Sequence, residues 1–285
     1  MKRAISITLA GLALLTIGAC AQLSSREEVF ETVNIPGTGD SQDLLRELAR
    51  LYASEYPGRR VVIPDSTGTK GGIEVVGNGA SPVGRVARLP SAEERAQYGN
   101  FNYMEFARVP VVFVVSADTG VKDLSERKIC DIWSGRVMNW REVGGNDLPV
   151  AVRDRPENGS NKQAIRENLA CFADLKVASS VVEEEKNSDL VKSMKEVSGA
   201  IGFMPLSEAR LHGFKTITIN QLAGDTADYK LVIGLGFVYK NTLSPAIRAF
   251  FEYLNTETAL QVIRETGHTP GPRHEVVVHA QSLSR

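Results

Sequence analysis

The chain has 285 residues, of which 42% are apolar and 24% are charged, so it can bury one large core or two smaller ones. Its 33 basic and 34 acidic residues nearly cancel, and no block of lysine and arginine is present that could follow a phosphate backbone. This balance argues against nucleic acid as a partner and leaves room for a local basic site that holds a small anion.

The first twenty residues have the layout of a signal peptide. Lys2 and Arg3 precede an uncharged run at 4–19, and small residues lead up to Cys20. The run is shorter than the roughly 20 apolar residues that span a membrane, and it contains polar side chains. Residues 1–19 are therefore predicted to be a signal peptide.

Cys20 stands where bacterial lipoproteins carry their lipid. The small residues before it resemble the lipobox of those proteins, which implies lipidation at Cys20 and a lipid-anchored tether at 20–34. The chain would then lie on the periplasmic side of a bacterial membrane, and Ala21 in place of an aspartate favours the outer membrane if the cell has one. The alternative is a cleaved signal peptide followed by an incidental cysteine.

After the tether, short apolar runs alternate with helical patterns, which is typical of an α/β fold. The predicted strands are 31–35, 60–64, 83–86, 106–116, 150–153, 200–203, 215–219 and 231–239. The predicted helices are 41–56, 67–76, 125–134, 159–172, 188–197, 245–254 and 257–265.

Two cysteines remain after Cys20, at Cys130 and Cys171. Export would place them in an oxidising compartment, where a disulfide between them is one interpretation and two buried thiols are the other. Neither a CxxC spacing nor a neighbouring histidine supports a metal site, and no cofactor is expected.

Three turns share one design, in which glycine is followed by a hydroxyl or amide side chain and then by a helix. They are 39–41, 68–71 and 159–161. The free N–H groups and the positive dipole end of such a helix suit an anion, although serine, threonine and asparagine also occur there simply as caps. Arginines stand near these turns, at Arg85, Arg88, Arg153 and Arg155. If the three turns converge, they could enclose a tetrahedral oxyanion.

Taken in order, several segments resemble the periplasmic phosphate-binding proteins that feed the high-affinity phosphate importer of bacteria. These proteins belong to the class II periplasmic binding protein superfamily. The matching segments are 37–41, 69–72, 83–90, 111–145, 155–161 and 199–203. The most specific is 111–145, which has Trp133 and Trp140 in the family's places.

The resemblance implies an α/β, two-lobed class II periplasmic binding protein fold with a ligand cleft between the lobes. Lobe one would be discontinuous, at 35–110 plus 231–270, with lobe two at 111–230 and a tail at 271–285. The chain would cross between lobes near 108–113 and 231–237.

The resemblance also implies a binding role: capture of inorganic phosphate or a similar oxyanion for an ABC permease, without catalysis. Carried over by position, the ligand-binding residues would be Ser41 and Thr69 from lobe one, and Arg155, Gly159, Ser160 and Asn161 from lobe two. Arg88 is the next candidate for the guanidinium role, ahead of Arg85 and Arg153.

Two departures from the family bear on selectivity. The usual Ser-Gly-Thr turn is here Gly159-Ser160-Asn161, and Ala87 stands where the best-known members have a carboxylate that accepts the phosphate proton. Asp40, Asp65 or Glu157 could take over that role, because a site without an acceptor leaves the proton unpaired. The sequence therefore predicts oxyanion binding more firmly than selectivity for phosphate over sulfate or phosphonate.

Two other functions remain open. A phosphate-ester hydrolase could use Ser41 or Ser160 as nucleophile, but the histidines come late in the chain and no GxSxG turn or HExxH motif is present. An oxyanion-sensing or adhesive lipoprotein without an importer would have the same ligand chemistry.

Overall fold

The structure is a computed structural model that describes residues 32–272. The predicted signal peptide, the lipidation site at Cys20 and most of the tether and tail lie outside the described residues. The last three residues of the predicted tether form the first strand and so belong to the fold.

Twelve strands and nine helices form within the described range. The strands are β1 Thr32–Asn34, β2 Arg60–Val62, β3 Val83–Val86, β4 Asn102–Val115, β5 Asp123–Leu124, β6 Ala151–Asp154, β7 Val182–Glu183, β8 Ala200–Pro205, β9 Lys215–Thr216, β10 Thr218–Ile219, β11 Val232–Tyr239 and β12 Thr269–Pro270. The helices are α1 Gln42–Glu55, α2 Gly68–Gly77, α3 Ala92–Tyr98, α4 Glu126–Trp133, α5 Ser160–Asn168, α6 Asn187–Glu196, α7 Leu206–Leu211, α8 Pro245–Tyr253 and α9 Glu257–Glu265. Short 3-10 turns occur at Trp140–Val143 and Ala170–Phe172.

Strand β4 connects the two halves of the molecule. Its 14 residues pair antiparallel with β11 as far as Pro110 and with β8 from Val111 onward. The resulting sheet has the order β3-β11-β4-β8-β6-β7, with β9 and β12 also pairing to β4. One extended strand thus belongs to both halves, and the hydrophobic core continues along it.

The first half adds the parallel pair β1 and β2 beside β3. Gly37 makes this junction, because its φ is 138° and a Cβ atom there would lie 2.0 Å from the carbonyl oxygen of Arg85. The turns after β1 and β2 both lead directly into helices, α1 and α2.

The second half has the same plan. Strand β6 lies between β8 and β7 and runs parallel to both. The turns after β6 and β7 lead into α5 and α6. In parallel sheets, ligands bind beyond the carboxyl ends of the strands, so these four turns mark the functional edge of each half.

Most predicted elements are confirmed to within a few residues, but the single helix expected at 159–172 is wrong. Helix α5 ends at Asn168 because Leu169 adopts an extended backbone and buries its side chain. Arg166 then donates hydrogen bonds to the carbonyl oxygens of Phe172 and Leu175, which fixes a separate 3-10 turn. Helices α3 and α7 were not predicted.

Both tryptophans are packing residues. Trp133 is fully buried against the rings of Phe113, Phe172 and Phe203. Trp140 is also fully buried, and its indole N–H donates to the carbonyl oxygen of Gly199 over 2.9 Å. Within residues 32–272, no helix combines the length and apolarity that crossing a bilayer would require.

A disulfide joins Cys130 of α4 to Cys171 of the 3-10 turn Ala170–Phe172. We expect the variant Cys130→Ala/Cys171→Ala to lose roughly 2–4 kcal/mol of unfolding free energy, because the bond closes a long loop in the unfolded chain. Urea unfolding measures the loss. Dithiothreitol should lower the wild-type midpoint to that of the variant and leave the variant unchanged; equal midpoints for oxidised wild type and variant would contradict this.

Candidate functional site

A cavity of about 410 Å³ lies between the two halves of the molecule. Its wall consists of the four turns that precede α1, α2, α5 and α6. The residues that line it are Thr38, Gly39, Asp40, Ser66, Thr67, Gly68, Thr69, Lys70, Arg155, Pro156, Asn158, Gly159, Ser160, Asn161, Glu185, Lys186 and Asn187.

The N-termini of α2, α5 and α6 converge on the cavity and give it a positive character. The first N–H groups of a helix have no partner within it, and its dipole places a partial positive charge at the same end. Three cationic side chains, Lys70, Arg155 and Lys186, line the wall together with two carboxylates, Asp40 and Glu185. Such an arrangement favours an anion.

Thr69 is the lobe-one donor predicted from the sequence, and it does line the cavity. Its hydroxyl oxygen accepts a hydrogen bond from the backbone N–H of Ala87 over 3.1 Å. That contact uses a lone pair and leaves the hydroxyl hydrogen to donate to a ligand.

The buried guanidinium of Arg85 holds the lobe-one turns in place. Its side chain is fully buried and donates to the carbonyl oxygens of Thr38 over 2.6 Å, of Pro64 over 2.7 Å and of Ile35. Burial lowers the pKa of Arg85 to about 10, so the group stays charged at neutral pH. Arg85 therefore positions the turns after β1 and β2 and does not line the cavity.

Arg155 supplies the guanidinium of the cavity from the end of β6. It donates to the carbonyl oxygen of Glu184 over 2.5 Å and to Oδ1 of Asn187 over 3.0 Å, so the turn before α6 fixes its direction. Burial lowers the pKa of Arg155, while the negative charge of Asp40 acts in the opposite sense.

Gly159, Ser160 and Asn161 begin α5 and line the same cavity. The hydroxyl of Ser160 donates to Oδ2 of Asp40 over 2.6 Å, and the amide Nδ2 of Asn161 donates to Oδ1 of Asp40 over 3.1 Å. Both bonds cross the cleft from the second half to the first. A carboxylate of the protein itself therefore occupies these two side-chain donors.

Two of the residues predicted for the site lie elsewhere. Ser41 is fully buried at the start of α1 and does not line the cavity, and its hydroxyl has no hydrogen-bond partner within residues 32–272. Arg88 forms a bidentate ion pair with Glu94 and lines a different cavity. The structure thus brings together Thr69, Arg155 and the start of α5, without these two.

Sequence reasoning missed the turn before α6. Glu185, Lys186 and Asn187 line the cavity, and Asn187 orients Arg155. The available signal was the polar run that opens the predicted helix at 188–197, which includes the helix-starting residue types asparagine, serine and aspartate. It contains no glycine and therefore did not match the pattern of the other three turns.

Glu208 on α7 is a partly buried carboxyl group that lines a second cavity together with Asp40. Burial first, and then the negative charge of Asp40, raise its pKa to about 7, although the amide of Asn187 donates to it over 2.9 Å. Asp43 adds to the repulsion and Arg155 opposes it. Within residues 32–272, no group of three or more His, Cys, Asp or Glu side chains is placed to hold a metal ion.

Comparison with known proteins places the chain in a family. The model of a PBP superfamily domain matches residues 24–258. The chain is 22% identical over 250 residues to the phosphate-binding protein PstS of Bacillus subtilis. The alignment covers 86% of this chain and 82% of that protein.

Solved structures share the fold. A phosphate ABC transporter substrate-binding protein from Clostridium perfringens, solved with bound phosphate, has a TM-score of 0.78 at 20% identity and covers 85% of this chain and 100% of its own. An ABC-type phosphate transport receptor from Vibrio cholerae has a TM-score of 0.63 at 20% identity, and the match covers 83% of this chain and 99% of that protein. The two-lobed α/β fold predicted from the sequence is confirmed.

We expect Glu208→Gln to remove a pH dependence of stability. Because the folded state raises the pKa of Glu208 from 4.5 to about 7, the wild-type free energy of unfolding should fall as the pH rises through this range. Above pH 7 the variant should be the more stable protein by roughly 3 kcal/mol, and below pH 4.5 the two should agree. Urea unfolding at several pH values measures the difference.

The exposed Glu196 provides the matched control, Glu196→Gln. A pH slope in Glu208→Gln as steep as that of wild type would contradict the assignment to Glu208.

Proposed function

Because the chain belongs to the PBP superfamily, a family of binding proteins and not of enzymes, we propose that it is an exported solute-binding protein. It captures phosphate or a related tetrahedral oxyanion in the cleft and delivers it to an ABC importer. The observation that carries this proposal is the convergence of three helix N-termini and Arg155 on one cavity. Both the curated relative and the two solved structures described above are named for phosphate.

The donors available in the cavity are sufficient for useful affinity. Hydrogen bonds to a charged group contribute roughly 1.5–3 kcal/mol each, and micromolar binding needs about 8 kcal/mol. The guanidinium of Arg155 can donate a bidentate pair of hydrogen bonds to the oxyanion, and Thr69 and the first N–H groups of α5 add further donors. These groups exceed the requirement even after part of the energy is lost to desolvation.

The proposed lobes are 35–110 plus 231–270 and 111–230. The change of partner along β4 between Pro110 and Val111 supports the first boundary. A backbone hydrogen bond from Val111 to Leu231 supports a second crossing beside it. Ligand release would then require the lobes to separate about these two neighbouring segments.

We also propose that the mature chain begins at Cys20, carries lipid there and works on the periplasmic side of a bacterial membrane. The lipobox-like sequence before Cys20 supports this step. Growth with labelled palmitate tests it: label should enter wild type and be absent from Cys20→Ser.

A hydrolase at this site has less support than binding. Ser160 donates its hydroxyl hydrogen to Asp40, and no histidine of residues 32–272 lines the cavity to act as its base. The serine is therefore arranged as a hydrogen-bond donor.

Among the candidate acceptors, Asp40 is the one that contacts the side-chain donors of α5. Of the three carboxylates considered as substitutes for the one missing at Ala87, only Asp40 lines the cavity. The side chain of Asp65 is 96% exposed beside Arg46, and Glu157 pairs with Arg166 outside the cavity.

Titration calorimetry of residues 21–285, which retain every described helix and strand, tests the binding proposal. We expect micromolar or tighter binding of phosphate, to be compared with sulfate, a phosphonate and molybdate. Arg155→Ala should lose at least a hundredfold in affinity, because it removes a buried charge-assisted contact worth roughly 3 kcal/mol.

Arg127→Ala is the matched control, since it removes an exposed arginine of α4 that pairs with Asp131 on its own helix and does not line the cavity. Thermal unfolding shows whether each variant keeps its fold. No heat with any oxyanion would overturn the proposal, and wild-type affinity in folded Arg155→Ala would move the guanidinium role to another arginine.

A further inference from the structure

Asp40 makes the contacts that a bound anion would make. Both of its carboxylate oxygens accept hydrogen bonds across the cleft, from Ser160 over 2.6 Å and from Asn161 over 3.1 Å. A third donor, the hydroxyl of Thr38, reaches Oδ2 from the same turn over 3.0 Å. Ser160 and Asn161 are both buried, so water does not compete freely for them.

The position of Asp40 adds an electrostatic attraction to these bonds. Its carboxylate faces the N-terminus of the nine-residue helix α5, where the helix dipole favours negative charge. The positive charge of Arg155 is close enough for Asp40 to influence the pKa of that guanidinium. Asp40 therefore satisfies the positive side of the cavity in the absence of any ligand.

We propose that Asp40 is an internal anion of the ligand site, which latches lobe one to the start of α5 and must be displaced before an oxyanion can take its donors. This inference rests on the proposed binding function and adds a residue that sets the affinity of the site. The side chains of Ser160 and Asn161 have two alternative partners, the carboxylate of Asp40 or the oxygens of the ligand.

Displacement has two consequences for the ligand. When an anion binds to the donors of α5, the negative charge of Asp40 remains close to the negative charge of the anion. Like charges in a partly buried site repel strongly. Affinity is therefore lower than the donor set alone would give. The empty protein is also held closed, because the latch joins the two lobes in the way that a ligand otherwise would.

Three variants of residues 21–285 distinguish the effect of the negative charge of Asp40 from the effect of its hydrogen bonds across the cleft. Asp40→Asn keeps the shape and one acceptor oxygen but removes the charge, and Asp40→Ala removes both. Asp43→Asn is the matched control, because it neutralises an exposed carboxylate in the first turn of α1 that makes no contact with α5. Calorimetry with phosphate and with sulfate gives affinity, and small-angle X-ray scattering without ligand gives the radius of gyration.

We expect both Asp40 variants to bind phosphate and sulfate at least tenfold more tightly than wild type, and Asp43→Asn to change affinity less than twofold. Ligand-free Asp40→Ala should have a larger radius of gyration than ligand-free wild type and should become compact when phosphate is added. Ligand-free wild type should already be compact.

Unchanged or weaker binding in both Asp40 variants would overturn the internal-anion role, since Asp40 would then support the ligand. Equal radii for ligand-free wild type and Asp40→Ala would overturn the latch. If no variant binds any oxyanion, the proposed function fails, and the scattering comparison still decides whether Asp40 holds the lobes together.

Discussion

The start of a helix carries backbone N–H groups that the helix itself cannot satisfy, and this constraint governs the cleft. Three such starts, those of α2, α5 and α6, face one cavity together with the turn before α1, because each follows the carboxyl end of a strand in one of two similar halves. Bringing them together concentrates positive potential and unpaired donors in one place. A negatively charged group is needed to balance this potential and accept these hydrogen bonds. In the described structure the carboxylate of Asp40 provides part of that balance.

The rigidity of this arrangement comes from groups in the cavity wall and directly behind it. Arg85 is buried behind the lobe-one turns and ties three of their carbonyl oxygens to one guanidinium. On the opposite side, Asp154 and Lys162 form a buried ion pair beneath the start of α5. Asn187 links Arg155 to Glu208 through both ends of its amide. Each lobe thus presents its donors in a fixed direction, which lowers the entropy lost when a ligand binds.

Hydrophobic periodicity predicted most of the helices and strands, because buried strands and amphipathic helices leave strong patterns, as in β4 and α9, whereas the two-lobed arrangement came from the family resemblance. Periodicity could not predict that Leu169 would end α5, since that break depends on contacts between Arg166 and carbonyl oxygens further along the chain.

For the site, glycine-led turns and the family resemblance pointed to Thr69, Arg155 and 159–161. They could not reveal that Arg85 is tied to backbone carbonyls, that Arg88 pairs with Glu94, or that Asp40 crosses the cleft. Those outcomes depend on tertiary geometry between segments far apart in sequence.

The central claim is that the start of α5 and Arg155 together hold an oxyanion, in exchange for Asp40. A crystal structure of residues 21–285 with phosphate tests it most directly. The account predicts a tetrahedral anion within hydrogen-bond distance of Arg155 and of the first N–H groups of α5, with the Asp40 carboxylate moved away from Ser160 and Asn161. An anion bound elsewhere, or one bound here while both Asp40 contacts persist, would contradict it.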